Sequence, residues 1–272
     1  MIAGFEQPDE GSIAIGGEDT LGVAKRLNDD GVNVIGVPKT IDNDVPYIDH
    51  SFGFQTAFSK ATEFIRAAHV EARTVPNGVG LVRLMGRHSG FIACYAALAN
   101  SDADYVLIPE IPFRLDGEAG FLSHLRVLVE RQGHAVVVVA EGAGQDHIGH
   151  DLGPADASGN RGLGDIGIFL RKRIAEHFAA AGLALNLRYI DPSYAIRSVP
   201  ANAYDSVYCI RLAHTAVHAA MAGRTEMVVG RWHGRFVHIP MALAISSRYQ
   251  VDPHGDLWLS VLEATGQPAA FG

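Results

Sequence analysis

Residues 135–141 read AVVVVAE, six apolar positions in succession closing on a carboxylate. A strand with one wet face alternates polar and apolar residues. An unbroken β-branched run instead fits a strand covered on both faces, as in parallel α/β sheets. The flanking sequence agrees, because residues 117–132 and 164–180 carry helical periodicity. Further strand-like runs stand at residues 12–15, 32–37, 79–84, 105–108, 185–190, 227–230 and 236–239. Helix-period segments fill most gaps between them, at 20–28, 53–71, 90–99 and 203–222. Strand–helix alternation predicts βαβ units and a doubly wound sheet, whose ligands bind beyond the carboxyl ends of the strands. The polar motifs fall there: GGEDT after the first strand, PKTIDND after the second, MGRHSG after the third, PE after the fourth and EGAGQD after the fifth. Residues 142–164 form the longest loop-like stretch, in the position of a lid or an extended tip. Residues 1–11 read as a poor element, and the chain shows no obvious repeat.

The 272 residues suffice for one large or two modest domains, and 48% hydrophobic with 19% charged residues is a core-forming composition. A formal charge of −8 disfavours nucleic acid and anionic membrane as partners, but leaves room for a small anion held by a few local cations. No apolar run approaches the ~18 residues of a membrane span, and residues 1–30 lack a secretory signal pattern. Cys94 and Cys209 stand alone on apolar or helical stretches, without zinc-ligand spacing. That usage fits buried small hydrophobes in a reducing compartment, and the expected location is cytoplasmic. The chain holds no GxxxxGK[ST] loop, no GxSxG elbow, no HExxH, and no GxGxxG after the first strand.

Four motifs carry candidate chemistry. In GGEDT, Gly17 lets the backbone approach an anion and Thr20 is expected to cap the following helix. Glu18 and Asp19 repel a bare phosphate there, which points to a Mg²⁺ site or a steric block; a plain tight turn is the alternative. PKTIDND is more specific. Asp42 and Asp44 supply one carboxylate as general base on a sugar hydroxyl and another to orient it or touch metal, while Lys39 neutralises phosphoryl charge. In MGRHSG, Arg87 stands just before a helix, placed for bidentate phosphate binding or simply within a capping loop. Glu141 suits hydroxyl binding or a structural salt bridge, and RYIDPSYAIR (188–197) suits a phosphate pocket or a charged loop.

Taken together, GGEDT, GVPKTIDND, FGFQTA, LMGRHSGFIA, IPE-PF, VVAEGAGQD, YIDPSYAIR and AVHAAMAGRT stand in the order and spacing of the 6-phosphofructokinase family. The chain resembles that family over essentially its whole length, and most closely its longer-chain branch. A GGDGT-like turn also occurs in lipid and NAD kinases, but those lack PKTIDND and MGR. The resemblance implies two doubly wound parallel-sheet (Rossmann-like) lobes. Residues 1–55 with 196–247 are the expected phosphoryl-donor lobe, and 56–195 with 248–272 the sugar-phosphate lobe. It implies transfer of a phosphoryl group to the 1-hydroxyl of fructose 6-phosphate. Asp42 matches the base, with Thr40 and Asp44 beside it and Lys39 and Arg87 assisting. Glu18 stands at a Mg²⁺-associated acidic position. Met85, Gly86 and Arg87 match the loop binding the sugar phosphate and the transferring phosphate, Glu141 a sugar-hydroxyl ligand, and Tyr194 and Arg197 the holders of the 6-phosphate. Arg188 matches a residue that reaches a neighbouring subunit's site, implying a homo-oligomer with shared active sites.

The resemblance places Gly17, Asp19 and Thr20 at the donor. The donor's identity is read from Asp19 and Lys39, of which Asp19 decides more because some ATP-using branches also carry the lysine. Family members that use ATP usually carry glycine at the Asp19 position and pyrophosphate users aspartate, so Asp19 favours pyrophosphate over ATP. Two departures complete the expectation. The family opens with a further strand and a Gly-rich donor loop before GGEDT, so the first lobe is expected to be incomplete. A truncated protein that only binds sugar phosphate or assembles with a homologue is then the alternative to an active enzyme. Gly78 lies where many members carry a second cross-subunit arginine, a role for which Arg83 or Arg73 is the expected substitute.

Overall fold

The computed structural model describes residues 11–149 and 162–272. Most of the expected loop at 142–164, and residues 1–10, lie outside the described residues. In chain order the elements are β1 (Ser12–Gly16), α1 (Glu18–Asp29), β2 (Val34–Thr40), β3 (Phe52–Gly53), α2 (Phe54–Arg73), β4 (Gly78–Leu84), α3 (Phe91–Leu98), β5 (Tyr105–Leu107), α4 (Phe121–Gln132), β6 (His134–Ala140), α5 (Ile166–Ala180), β7 (Asn186–Ile190), α6 (Ser193–Arg197), α7 (Ala203–Met221), β8 (Met227–Trp232), β9 (Arg235–Pro240), α8 (Met241–Ala244) and α9 (Asp256–Thr265). The chain divides into two compact units, residues 1–56 with 200–249 and residues 57–199 with 250–272.

The first unit is built on a sheet of order β1-β2-β8-β9, with β3 added beside the end of β2. The alternation of β2 sends Val34 to a core with Leu21, Ala24 and Met241, and Ile35 and Val37 to one with Tyr208 and Leu212. Helices therefore cover both faces, α1 with α8 on one and α7 on the other. Gly36 is required in this arrangement, because a Cβ there would lie 2.7 Å from Leu21 Cδ2 and 2.9 Å from Val228 Cγ2. Pro38 is tolerated in β2 because the β8 ladder registers only at Ile35 and Gly36. The expected parallel pairing holds within β1, β2 and β8, and one antiparallel pair is added at the edge. β8 and β9 pair antiparallel through the two-residue turn His233–Gly234, both at positive φ (47° and 76°). That is the turn geometry whose twist matches a hairpin. The Asp49 carboxylate accepts from both turn amides at 2.8 and 3.0 Å.

The second unit carries a parallel sheet of order β5-β6-β4-β7. Val137 and Val139 of β6 join Val79 and Leu81 of β4 in a core with Phe121, Leu125, Ile166, Leu170 and Phe178 from α4 and α5. The opposite face of β4 begins with Gly78 and Gly80. A Cβ on Gly80 would touch Ala68 at 3.0 Å, so α2 lies directly against the strand. α9 is held by buried Trp258 and Val261. The Gln267 side chain, also buried, accepts from Val106 N (2.6 Å) and donates to Val106 O (3.2 Å), completing the edge of β5.

Candidate functional site

In the first unit Gly17 is the residue before α1 and, lacking a side chain, offers no cap. Thr20 lies inside the first turn and packs on Gly16, with its Oγ1 2.3 Å from where a Cβ on Gly16 would stand. The expected capping role of Thr20 is thus corrected: its side chain fills the space a glycine leaves, one turn away from the cap. A Cβ on Gly17 would meet Thr40 Cβ at 3.3 Å, so GG brings the start of α1 against the end of β2.

Beyond β2 the chain turns through Asn43, held at φ 59° in a conformation that asparagine tolerates. Asn43 Oδ1 accepts from Ser51 N at 2.8 Å, Ser51 Oγ donates to Thr40 O at 2.7 Å, and Thr40 Oγ1 accepts from Asp42 N at 3.2 Å. This short network fixes the backbone on which Asp42 is carried, with its residue partly exposed and Lys39 exposed beside it. The entry to α2 is fixed separately. Asp205, fully buried, accepts from Gly53 N, Thr56 N and Thr56 Oγ1 at 3.2, 2.7 and 2.6 Å.

Glu18, Asp19 and Asp44, three residues singled out in the sequence, gather around one that was not: Arg248. Its Nη2 lies 2.7 Å from Glu18 Oε2 and 3.7 Å from Asp19 Oδ1, and its Nη1 lies 3.6 Å from Asp44 Oδ2. Asp44 is buried, and its Oδ1 has no hydrogen-bond partner. Burial raises the Asp44 carboxyl above its ordinary range against the opposing charge of Arg248. Among the described residues no group of three or more His, Cys, Asp or Glu side chains could hold a metal unaided. Mg²⁺, however, is commonly held by one or two carboxylates together with substrate phosphates. Hard oxygens from Glu18 and Asp44, two of them buried without a hydrogen-bond partner (Glu18 Oε2 and Asp44 Oδ1), fit that mode.

In the second unit the loop after β4 depends on close backbone contacts. Gly86 has φ 134°, and a Cβ on Gly142 would lie 1.9 Å from Arg87 O. Glu110 Oε1 accepts from Gly90 N and Val251 N, both at 2.9 Å, and Gln250 Nε2 donates to His88 O at 2.8 Å. These bonds buttress the C-terminal flank of the segment carrying Met85, Gly86 and Arg87. Burial pushes the Glu110 carboxyl upward, only partly offset by the amides it accepts.

Glu141, the residue after β6, forms an ion pair with Arg83 Nη2 at 3.0 Å. Arg83 Nη1 also meets Asp191 Oδ2 at 2.7 Å, and its Nε lies 3.9 Å from Asp165 Oδ1. Asp165 caps α5 through Ile168 N and accepts from Tyr189 OH at 3.1 Å. Tyr194 is 85% exposed on α6, with the Arg197 guanidinium 5.6 Å from its ring centroid. Arg188, exposed on β7, pairs with Glu71 at 3.4 Å. Gly78 cannot host an arginine in this backbone, since a Cβ would stand 2.0 Å from Ala72 O. Of the two expected substitutes, Arg83 and Arg73, Arg83 lies against three carboxylates of its own unit.

A family model described as phosphofructokinase matches residues 10–220. The chain belongs to the phosphofructokinase family. Among curated phosphofructokinases it is 66% identical over 247 residues to an ATP-dependent 6-phosphofructokinase of Amycolatopsis methanolica, covering 89% of this chain and 54% of the relative. It is 48% identical over 246 residues to an ATP-dependent 6-phosphofructokinase of Borreliella burgdorferi, covering 88% and 55%. The chain spans about half the length of these relatives. Of solved phosphofructokinases, a pyrophosphate-dependent one from Nitrosospira multiformis superposes with TM-score 0.71 at 23% identity, over 92% of this chain and 66% of that one. One from Marinobacter aquaeolei gives 0.68 at 24%, over 93% and 66%. Both likenesses bear on the fold alone. No helix among the described residues is long and apolar enough to cross a membrane.

Proposed function

We propose that this chain carries the phosphoryl-transfer chemistry of a 6-phosphofructokinase, moving a phosphoryl group to the 1-hydroxyl of fructose 6-phosphate. The observation behind this reading is the PKTIDND turn, where the Asn43–Ser51–Thr40 network holds the backbone of a partly exposed Asp42. Asp42 takes the proton of the attacking hydroxyl, and Thr40 fixes the loop around it. Lys39 and Arg87 offset the charge on the transferring group. Met85 and Gly86 provide the turn in which that group is seated, and Glu141, held by Arg83, accepts from sugar hydroxyls. Arg188, Tyr194 and Arg197 stand exposed on the second unit and serve the sugar phosphate, Arg188 in a neighbouring subunit of a homo-oligomer. Gly17, Asp19 and Thr20 flank the donor. Glu18 and Asp44 would hold Mg²⁺, which neutralises donor phosphate charge when bound. The setting is cytoplasmic.

ATP is the first donor to test, because the relatives at 66% and 48% identity are named ATP-dependent. Asp19 favours pyrophosphate as the second reading. Production of fructose 1,6-bisphosphate is followed with each donor in turn. Asp42→Asn is expected to lower turnover by at least about 10³-fold while calorimetric binding of fructose 6-phosphate persists. Undiminished turnover in that variant would remove Asp42 from its role. Sugar-phosphate binding without turnover in the wild-type chain, with either donor, would favour the binding or assembly protein instead.

A further inference from the structure

Three carboxylates and one guanidinium meet in the first unit, leaving the group with an excess of negative charge when all are ionised. The nearest contact is the 2.7 Å pair between Arg248 Nη2 and Glu18 Oε2. Asp44, which faces the same guanidinium at 3.6 Å, keeps one buried oxygen without any hydrogen-bond donor. A buried oxygen in that state is costly unless a cation or donor reaches it. Arg248 reaches only the other oxygen of the carboxylate. A divalent ion ligated by carboxylates sits ~2.1 Å from their oxygens. With the guanidinium still on Glu18 Oε2, the two positive charges would stand within a few ångströms of each other, which disfavours the ion.

We propose that Arg248 is a tethered counter-ion for Glu18, Asp19 and Asp44, and that a divalent cation binds at Glu18 only by displacing its guanidinium. The tether is visible in the backbone: Tyr249 N donates to Asp44 O at 2.7 Å, so the residue following Arg248 is fastened to the cluster that the side chain neutralises. The arm therefore leaves and returns without the chain around it moving. The side chain is a third exposed, which gives it solvent to move into. An occupied site thus has two states, arginine-neutralised and metal-neutralised, and divalent affinity is set by the difference between them. The inference rests on the reading of Glu18 as a metal ligand.

The test is Mn²⁺ binding to the 272-residue chain, read as loss of the free-ion electron paramagnetic resonance signal at low ionic strength. Arg248→Gln removes the competing charge and keeps a polar side chain. It is expected to bind Mn²⁺ about tenfold more tightly than wild type, from the loss of one unit charge at roughly 4 Å in a partly wet site. Arg248→Lys, which retains a charge on a shorter arm, is expected between the two, and it carries the comparison if the glutamine variant does not fold. Adding Glu18→Gln to either variant is expected to abolish the gain. Equal affinity in wild type and both Arg248 variants, weaker binding in the variants, or no binding in any of them overturns the proposal. If Glu18→Gln weakens Mn²⁺ binding while the Arg248 variants match wild type, the counter-ion role alone fails. If tight binding survives Glu18→Gln, the Glu18 assignment fails with it.

Discussion

Each unit closes three carboxylates around one arginine, and the two clusters differ in burial and grip. In the second unit the Arg83 side chain is 15% exposed, with contacts of 2.7 and 3.0 Å to Asp191 and Glu141. Its partners are themselves committed: Ser193 donates to Asp191 through both amide and hydroxyl, and Tyr189 donates to Asp165. In the first unit Arg248 is 33% exposed, makes one close contact and two beyond 3.5 Å, and faces an Asp44 oxygen with no donor. A guanidinium in a drier setting, with two ion pairs at 3.0 Å or less, is part of the framework. The same group in a wetter, under-bonded setting is exchangeable.

The sharpest way to break that contrast is to remove each arginine in turn. Arg83→Ala strands three carboxylates, two of them at strand ends, and should cost about 3 kcal/mol in urea unfolding of the chain. Arg248→Gln should cost less than about 1 kcal/mol, with a loss that shrinks further at high salt. Comparable losses at the two positions would erase the distinction between framework and exchangeable charge.

A smaller effect sharpens the comparison through pH. Burial pushes Asp191 upward, but the Ser193 donors and Arg83 outweigh it, and its carboxyl lies below the ordinary 3.8. The stabilisation it contributes is therefore present above 3.8 and lost as pH falls through its folded value. Asp44 lies above 3.8 because burial exceeds the pull of Arg248. Its contribution is present at low pH and lost as pH rises through its folded value. Unfolding measured across acid pH should show Asp191→Asn losing ground to wild type as pH rises, and Asp44→Asn gaining it. Parallel trends in the two variants would contradict this assignment.

Much of the fold was legible because its strands are long apolar runs and its helices long periodic ones. The run AVVVVA became the seven-residue strand β6 within a parallel sheet. The short elements were not legible: α6 and α8 span one turn or little more, too little for a period to show. The hairpin β8–β9 was read as two separate strands because its turn, His233–Gly234, is only two residues long and its left-handed geometry depends on the Asp49 carboxylate, far away in sequence. The candidate site divides similarly. Glu18, Asp19, Asp42 and Asp44 stood out through their motifs, whereas Arg248 follows an unremarkable SS dipeptide and carries no local signal. Its ion pairs span more than two hundred residues of chain, and only folding brings such partners together.

The sequence by itself determined that this is an α/β chain with the motif set of phosphofructokinases, and it set the carboxylates of PKTIDND side by side as a candidate site. Those properties are local: hydrophobic periodicity decides elements, and a string of functional side chains is contiguous. Only the tertiary structure decided what Thr20, Glu141 and Arg83 do, and that Arg248 stands among the acidic residues of the first unit. Those roles depend on which side chains meet across long separations, where a space of one Cβ, as at Gly16 or Gly78, fixes what can approach.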